Sequence, residues 1–97
     1  MSTFAQLATE YAARIADLIG ASRNPSAVTT EREFIALVQD AAGSLRHSVL
    51  EDLQEAADDL DAAADRLTDA LASRGTDRDL HLARAESHIR LALDLAS

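Results

Sequence analysis

Residues 50–71 read LEDLQEAADDLDAAADRLTDAL, and this segment decides the fold. Its leucines and alanines recur at alternating steps of three and four residues, which is the spacing of one face of an α-helix. This heptad pattern lasts for three repeats, as in helices that pack against other helices. We therefore predict a helix here. We call its five leucines the leucine stripe and expect them to form an interaction surface: Leu50, Leu53, Leu60, Leu67 and Leu71.

The opposite side of the same predicted helix is acidic. Five carboxylates fall on one face, which we call the acidic face: Glu51, Glu55, Asp58, Asp65 and Asp69. Charge on the side opposite an apolar stripe is typical of a solvated helix surface. The same pattern also suits docking onto a basic partner, or mimicry of nucleic-acid charge.

Outward from this segment the chain also favours helix. Of its 97 residues, 21 are Ala, only three are Gly, and the one Pro is Pro25. Ala and Leu are strong helix formers, whereas Gly and Pro break helices. No run alternates apolar and polar residues as a strand would. We predict one all-α domain over 1–97, with antiparallel helical hairpins forming a four-helix bundle and a loop at 21–29. The predicted helices are about 3–20, 31–42, 44–74 and 77–96.

Local sequence patterns predict where the helices begin. Thr30 and Glu33 have the spacing of a capping box, and Thr76 with Asp79 repeats it less closely. The junction at Gly43 leaves two alternatives, because the apolar stripe changes phase there. Either the chain breaks at Gly43, or residues 31–74 form one helix about 65 Å long, which would need a dimer to complete its core.

Composition excludes several functions. There are 17 acidic and 9 basic residues, and the net charge of −8 argues against direct nucleic-acid binding, which needs a basic patch. The absence of Cys excludes disulfides and thiolate metal sites. No segment approaches the ~20 apolar residues of a membrane span, and the N-terminus lacks a signal-peptide pattern. We expect a cytoplasmic protein without a membrane partner.

The three histidines could carry chemistry. Ferritin-like metal sites need Glu three residues before His, but Ser44, Arg78 and Ala85 occupy those positions. His81 and His88 are two helical turns apart, too far for one metal ion, so we expect them at a rim or an interface.

His47 lies in a segment that resembles the phospho-acceptor helix of sporulation phosphotransferases and related sensor kinases. The residues that match are Arg46, His47, Leu53 and Gln54, whereas Ser48, Val49 and Glu51 depart from the pattern. The resemblance covers nine residues. It implies a phospho-acceptor role for His47, with Glu51 replacing the carboxylate that orients the imidazole.

Glu51, Glu55 and Asp58 form a second resemblance, to all-α nucleotide pyrophosphohydrolases of the MazG type. That family holds Mg²⁺ with E-E-x-x-E and E-x-x-D motifs, and the resemblance implies Mg²⁺ binding by these three carboxylates. The two motifs overlap on one helix here, whereas the family places them on facing helices, so that the oxygens converge on the ion.

The leading interpretation is a non-enzymatic protein–protein interaction module without metal or cofactor. Ala supplies nearly half of the apolar residues and buries little area per residue, so we expect a homodimer or a subunit of a larger complex. The alternatives are phosphotransfer through His47 and Mg²⁺-dependent hydrolysis through Glu51, Glu55 and Asp58.

Overall fold

The computed structural model describes residues 3–20 and 30–97. These residues form four helices and no strand, which confirms the predicted all-α class. The helices are α1 (Phe4–Leu18), α2 (Glu31–Arg46), α3 (Glu51–Leu71) and α4 (Gly75–Ala96). The predicted loop at 21–29 lies outside the described residues.

Two of the helix starts have side-chain caps. Thr3 and Gln6 form a reciprocal capping box at the start of α1. At the start of α2, the backbone N–H of Glu33 donates to the Thr30 hydroxyl at 3.1 Å. α4 differs from the prediction, since it begins at Gly75 and Thr76 does not cap it. Gly75 has a φ of +61°, in the left-handed region that glycine adopts without strain.

The connection between α2 and α3 corrects both alternatives for Gly43. α2 continues through Gly43 to Arg46, and the chain leaves the helix only at 47–50. The predicted division into four helices is confirmed, but the break lies at 47–50 and not between helices at 31–42 and 44–74, and one helix over 31–74 is wrong. A helix of about 65 Å would also exceed the longest dimension of the molecule, 40 Å.

Ser48 explains where the chain leaves the helix. Its hydroxyl accepts from the backbone N–H of Leu50 at 3.1 Å, and its carbonyl accepts from the Gln54 side chain at 2.8 Å. Such local bonds from Ser to backbone compete with helical hydrogen bonds. Gly43, by contrast, costs a helix only about 1 kcal/mol relative to Ala, and the packing of α2 overrides that preference.

The helices enclose one hydrophobic core. α3 packs mainly on α4 and α2, and α1 packs on α2 and α4. Of the 25 buried hydrophobic residues in the described part of the chain, 11 are Ala. α3 shows this most clearly, since its buried residues are two leucines and five alanines: Ala56, Ala57, Leu60, Ala63, Ala64, Leu67 and Ala70. The small side chains let neighbouring helices approach α3 closely.

Polar contacts join the helices around this core. At one end, the Arg78 side chain donates to Glu31 at 2.8 Å and lies over the Phe4 ring at 5.3 Å, so the starts of α1, α2 and α4 meet there. Within the bundle, Arg90 Nε donates to the buried Tyr11 hydroxyl at 2.8 Å, and that hydroxyl donates to Glu86 at 3.2 Å.

Candidate interaction surfaces

The acidic face lies on the solvent side of α3. All five of its residues are exposed, and they lie opposite the buried alanines and leucines of the same helix. Their positions span 18 residues, which is about 27 Å along the helix axis. Within the described parts of the chain, none of these five carboxylates forms an ion pair. The acidic face is thus an extended and uncompensated negative surface.

Two neighbouring aspartates on α3 behave differently. Asp61 forms an ion pair with Arg46 of α2. Asp59 approaches His88 of α4, with 3.2 Å between Asp59 Oδ1 and His88 Nδ1. These two aspartates connect α3 to α2 and α4. Neither of them belongs to the acidic face.

The leucine stripe is divided between core and surface. Leu60 and Leu67 are fully buried, and Leu53 and Leu71 are partly buried against the core. Leu50 alone is largely exposed, at 60%. Packing within this one chain accounts for the heptad spacing, and Leu50 is the member that stays accessible to a partner.

His47 lies at the end of α2, where it is exposed. The phospho-acceptor resemblance requires His47 and Glu51 to lie on neighbouring turns of one helix. In the structure α2 ends at Arg46 and α3 begins at Glu51, so the two residues do not share a helix. His81 is partly exposed, and its buried Nδ1 has no hydrogen-bond partner among the described residues. The Nδ1 atom of His88 contacts the carboxylate of Asp59.

The described residues contain no group of three or more His, Asp or Glu side chains placed to hold a metal ion. Glu51, Glu55 and Asp58 follow one another along a single exposed helix face. Carboxylates in this arrangement do not converge on one point, which a hard cation requires.

Tyr11 is a buried residue whose hydroxyl takes part in hydrogen bonds with Arg90 and Glu86 of α4. Burial raises its pKa, and the Arg90 hydrogen bond partly opposes that rise. The hydrogen bond to Tyr11 likewise raises the pKa of Arg90. The phenol is therefore neutral at physiological pH, and its contacts hold α1 against α4.

A second surface feature is a cleft where the start of α3 meets the end of α4. It has a volume of about 360 Å³, and we call it the end cleft. Its lining combines apolar residues with two carboxylates: Leu50, Leu53, Leu95, Ala96, Glu51 and Asp52, with Ser97 at its edge. Sequence reasoning missed this cleft, because it depends on the break at 47–50. Leu95, which widens the apolar face of the last helix, is the signal for it in the sequence.

A groove between α2 and α3 is less suited to a protein partner. It has a volume of about 510 Å³ and is lined by Arg32, Ile35, Gln39, Thr68, Leu71 and Ala72. Its apolar residues already contribute to the core, since Ile35 is 7% exposed and Leu71 packs against the buried cluster.

None of the helices described is long and apolar enough to cross a membrane. Comparison with known proteins finds no family model, curated protein or solved structure that matches this chain.

Proposed function

We propose that this protein is a small acidic helical interaction module that binds a protein partner with a basic surface and acts without catalysis. One observation carries the proposal: the acidic face presents five exposed carboxylates along one helix, and none of them forms an ion pair with another residue of 3–20 or 30–97. Like charges at such spacing repel one another within a helix. A basic partner would relieve that repulsion.

The chemistry of the partner follows from this geometry. Arg or Lys side chains distributed over about 27 Å would face the acidic face in register. A protein groove that normally holds a nucleic-acid backbone has such a charge distribution, so mimicry of nucleic-acid charge falls within this proposal. Affinity should fall steeply as salt is added, since screening weakens charge contacts at a surface.

The directions of the helices belong to the same proposal. The end of α3 and the start of α2 line one groove, and the start of α3 meets the end of α4. These contacts favour antiparallel pairs α2–α3 and α3–α4. The contacts of Arg78 with Phe4 and Glu31 favour α1 parallel to α2 and α4, which differs from the antiparallel first hairpin expected from the sequence.

The test compares two variants with equal loss of charge. Asp58→Asn/Asp65→Asn neutralises the middle of the acidic face, and Glu10→Gln/Asp17→Asn removes two exposed charges from α1. Each protein is immobilised and incubated with lysate of its source organism at low and at high salt. We expect bound partners at low salt on the wild type and the α1 variant, and a loss of about tenfold or more on the α3 variant.

The same two variants can also refute the proposal. A partner that the α3 variant retains as well as the α1 variant does would show that the acidic face is not the binding surface. A complex that is unchanged at high salt would show that apolar contacts, and not charge contacts, hold the partner.

A further inference from the structure

Four large apolar residues are exposed in the described part of the chain: Val49, Leu50, Leu80 and Leu91. Val49 is 93% exposed and Leu50 is 60% exposed, and both lie in the connection that enters the end cleft. Leu91 is 53% exposed and lies one helical turn before Leu95, on the same face of α4. Scattered single apolar residues are normal on a protein surface, and Leu50 differs from the other three because it also lines the end cleft beside Leu53 and Leu95.

Leu50 is also an unfavourable residue for its structural position. It occupies the N-cap of α3 and provides no side-chain hydrogen bond to the first turn. Ser, Thr, Asp or Asn would cap the helix and stabilise it. Leu50 is therefore exposed to water and does not cap the helix that it precedes.

The rim of the end cleft is acidic. Glu51 and Asp52 line it and are exposed, and among the residues that the structure describes no Arg lines it. Asp94 is exposed on α4 next to Leu95. A cleft lined by apolar residues and carboxylates is complementary to a segment that has apolar residues on one side and basic residues on the other.

We propose that the end cleft binds a basic amphipathic segment of the partner protein. An apolar side chain of that segment fills the space between Leu50, Leu53 and Leu95, and its Arg or Lys residues contact Glu51 and Asp52. This inference rests on the proposed function, because Glu51 belongs both to this rim and to the acidic face. The cleft adds the apolar anchor that charge contacts lack.

Charge selects this occupant over a second copy of the chain. Each copy has a net charge of −8, and pairing two end clefts would bring two acidic rims together. Like charges placed opposite each other across an interface are unfavourable, whereas a basic segment removes the repulsion within the rim.

The experiment uses two synthetic peptides of equal positive charge. One is a helix-forming Arg-rich peptide with a leucine stripe, and the other has Ser in place of each Leu. Fluorescence anisotropy measures the affinity of each for the full chain. We expect the leucine peptide to bind the wild type about tenfold more tightly, the effect of burying one large apolar side chain.

Leu50→Ser is the decisive variant, because Ser is a favourable N-cap and the change should not unfold the protein. It should abolish most of the difference between the two peptides. The matched control is Leu80→Ser, since Leu80 is 49% exposed and lies 15 residues before Leu95 on α4, about 22 Å along the helix. This control should keep the difference.

Several outcomes would overturn the proposal. The leucine peptide could bind no more tightly than the serine peptide, or Leu50→Ser could keep the full difference. Light scattering that shows a dimer in the wild type and a monomer in Leu50→Ser would assign the end cleft to a second copy. If Asp58→Asn/Asp65→Asn leaves the binding of both peptides unchanged, the acidic face fails as the proposed site, while the dependence on Leu50 would still support the cleft.

Discussion

Gly43 and Gly75 differ in their backbone conformation. Gly43 lies inside α2, whereas Gly75 has a φ of +61° at the start of α4. In both cases a Cβ atom would meet nothing within 4 Å. Steric contact is therefore equal at the two positions, and only the backbone conformation distinguishes them.

This difference predicts stability changes of opposite sign. Gly43→Ala should raise the free energy of unfolding by about 0.5–1 kcal/mol, because Ala favours a helix. Gly75→Ala should lower it by about 1–2 kcal/mol, since Ala is strained at positive φ. Urea denaturation measures both. A Gly43→Ala variant that is destabilised would indicate that the native chain bends at Gly43, contrary to the continuous α2.

Residue-level signals predicted some helix ends and missed others for identifiable reasons. Thr30 caps α2 as expected from its spacing to Glu33. The end of α2 was misplaced because Gly43 is the conspicuous helix breaker, while the residues that act are Ser48 and Gln54. Ser has no strong breaking tendency of its own, and its effect depends on hydrogen bonds that form only in the turn.

At the scale of the element, α3 combines a structural side and a charged side. Its buried face is mostly Ala, with Leu60 and Leu67, and the periodicity that predicts this face is visible in the sequence. The end cleft could not be predicted in the same way, because it requires residues 50–53 and 95–97 to meet. The periodicity of each helix carries no information on which helix ends are neighbours.

The acidic face should reduce the stability of α3. Asp58 and Asp65 stand three or four residues from other acids of the helix: Glu55, Asp61 and Asp69. Each such like-charge pair costs about 0.2–0.5 kcal/mol. Asp58→Asn/Asp65→Asn relieves four pairs, and we expect it to raise the free energy of unfolding by about 1 kcal/mol and the melting temperature by about 5 °C.

Thermal denaturation at low salt measures this effect, and the α1 variant is again the control. Glu10→Gln/Asp17→Asn removes an attractive Glu10–Arg14 spacing and an acid near the end of α1, two effects of opposite sign. It should change the melting temperature little. A variant of the acidic face that gains stability and loses its partner would show that the charge is kept for binding. Unchanged or lower stability would contradict the repulsion argument.

At the scale of the whole molecule, one chain encloses a core with all three of its aromatic residues buried: Phe4, Tyr11 and Phe34. The homodimer stays a prediction. It rests on the small area that an Ala-rich core buries, since 11 of the 25 buried residues are Ala. Val49, Leu80 and Leu91 are exposed apolar residues outside the end cleft, and self-association could cover them.

Salt should separate self-association from binding to a basic partner. Two copies with a net charge of −8 each repel one another at low ionic strength, and the Debye length shrinks from about 30 Å at 0.01 M to about 3 Å at 1 M salt. Light scattering coupled to size exclusion should therefore report a mass near that of the 10.4 kDa chain at low salt and shift toward twice this value at high salt. Binding of a basic partner should weaken over the same range. A monomer at every salt concentration would refute the homodimer, and a dimer that dissociates as salt is added would show that charge contacts hold the two copies together.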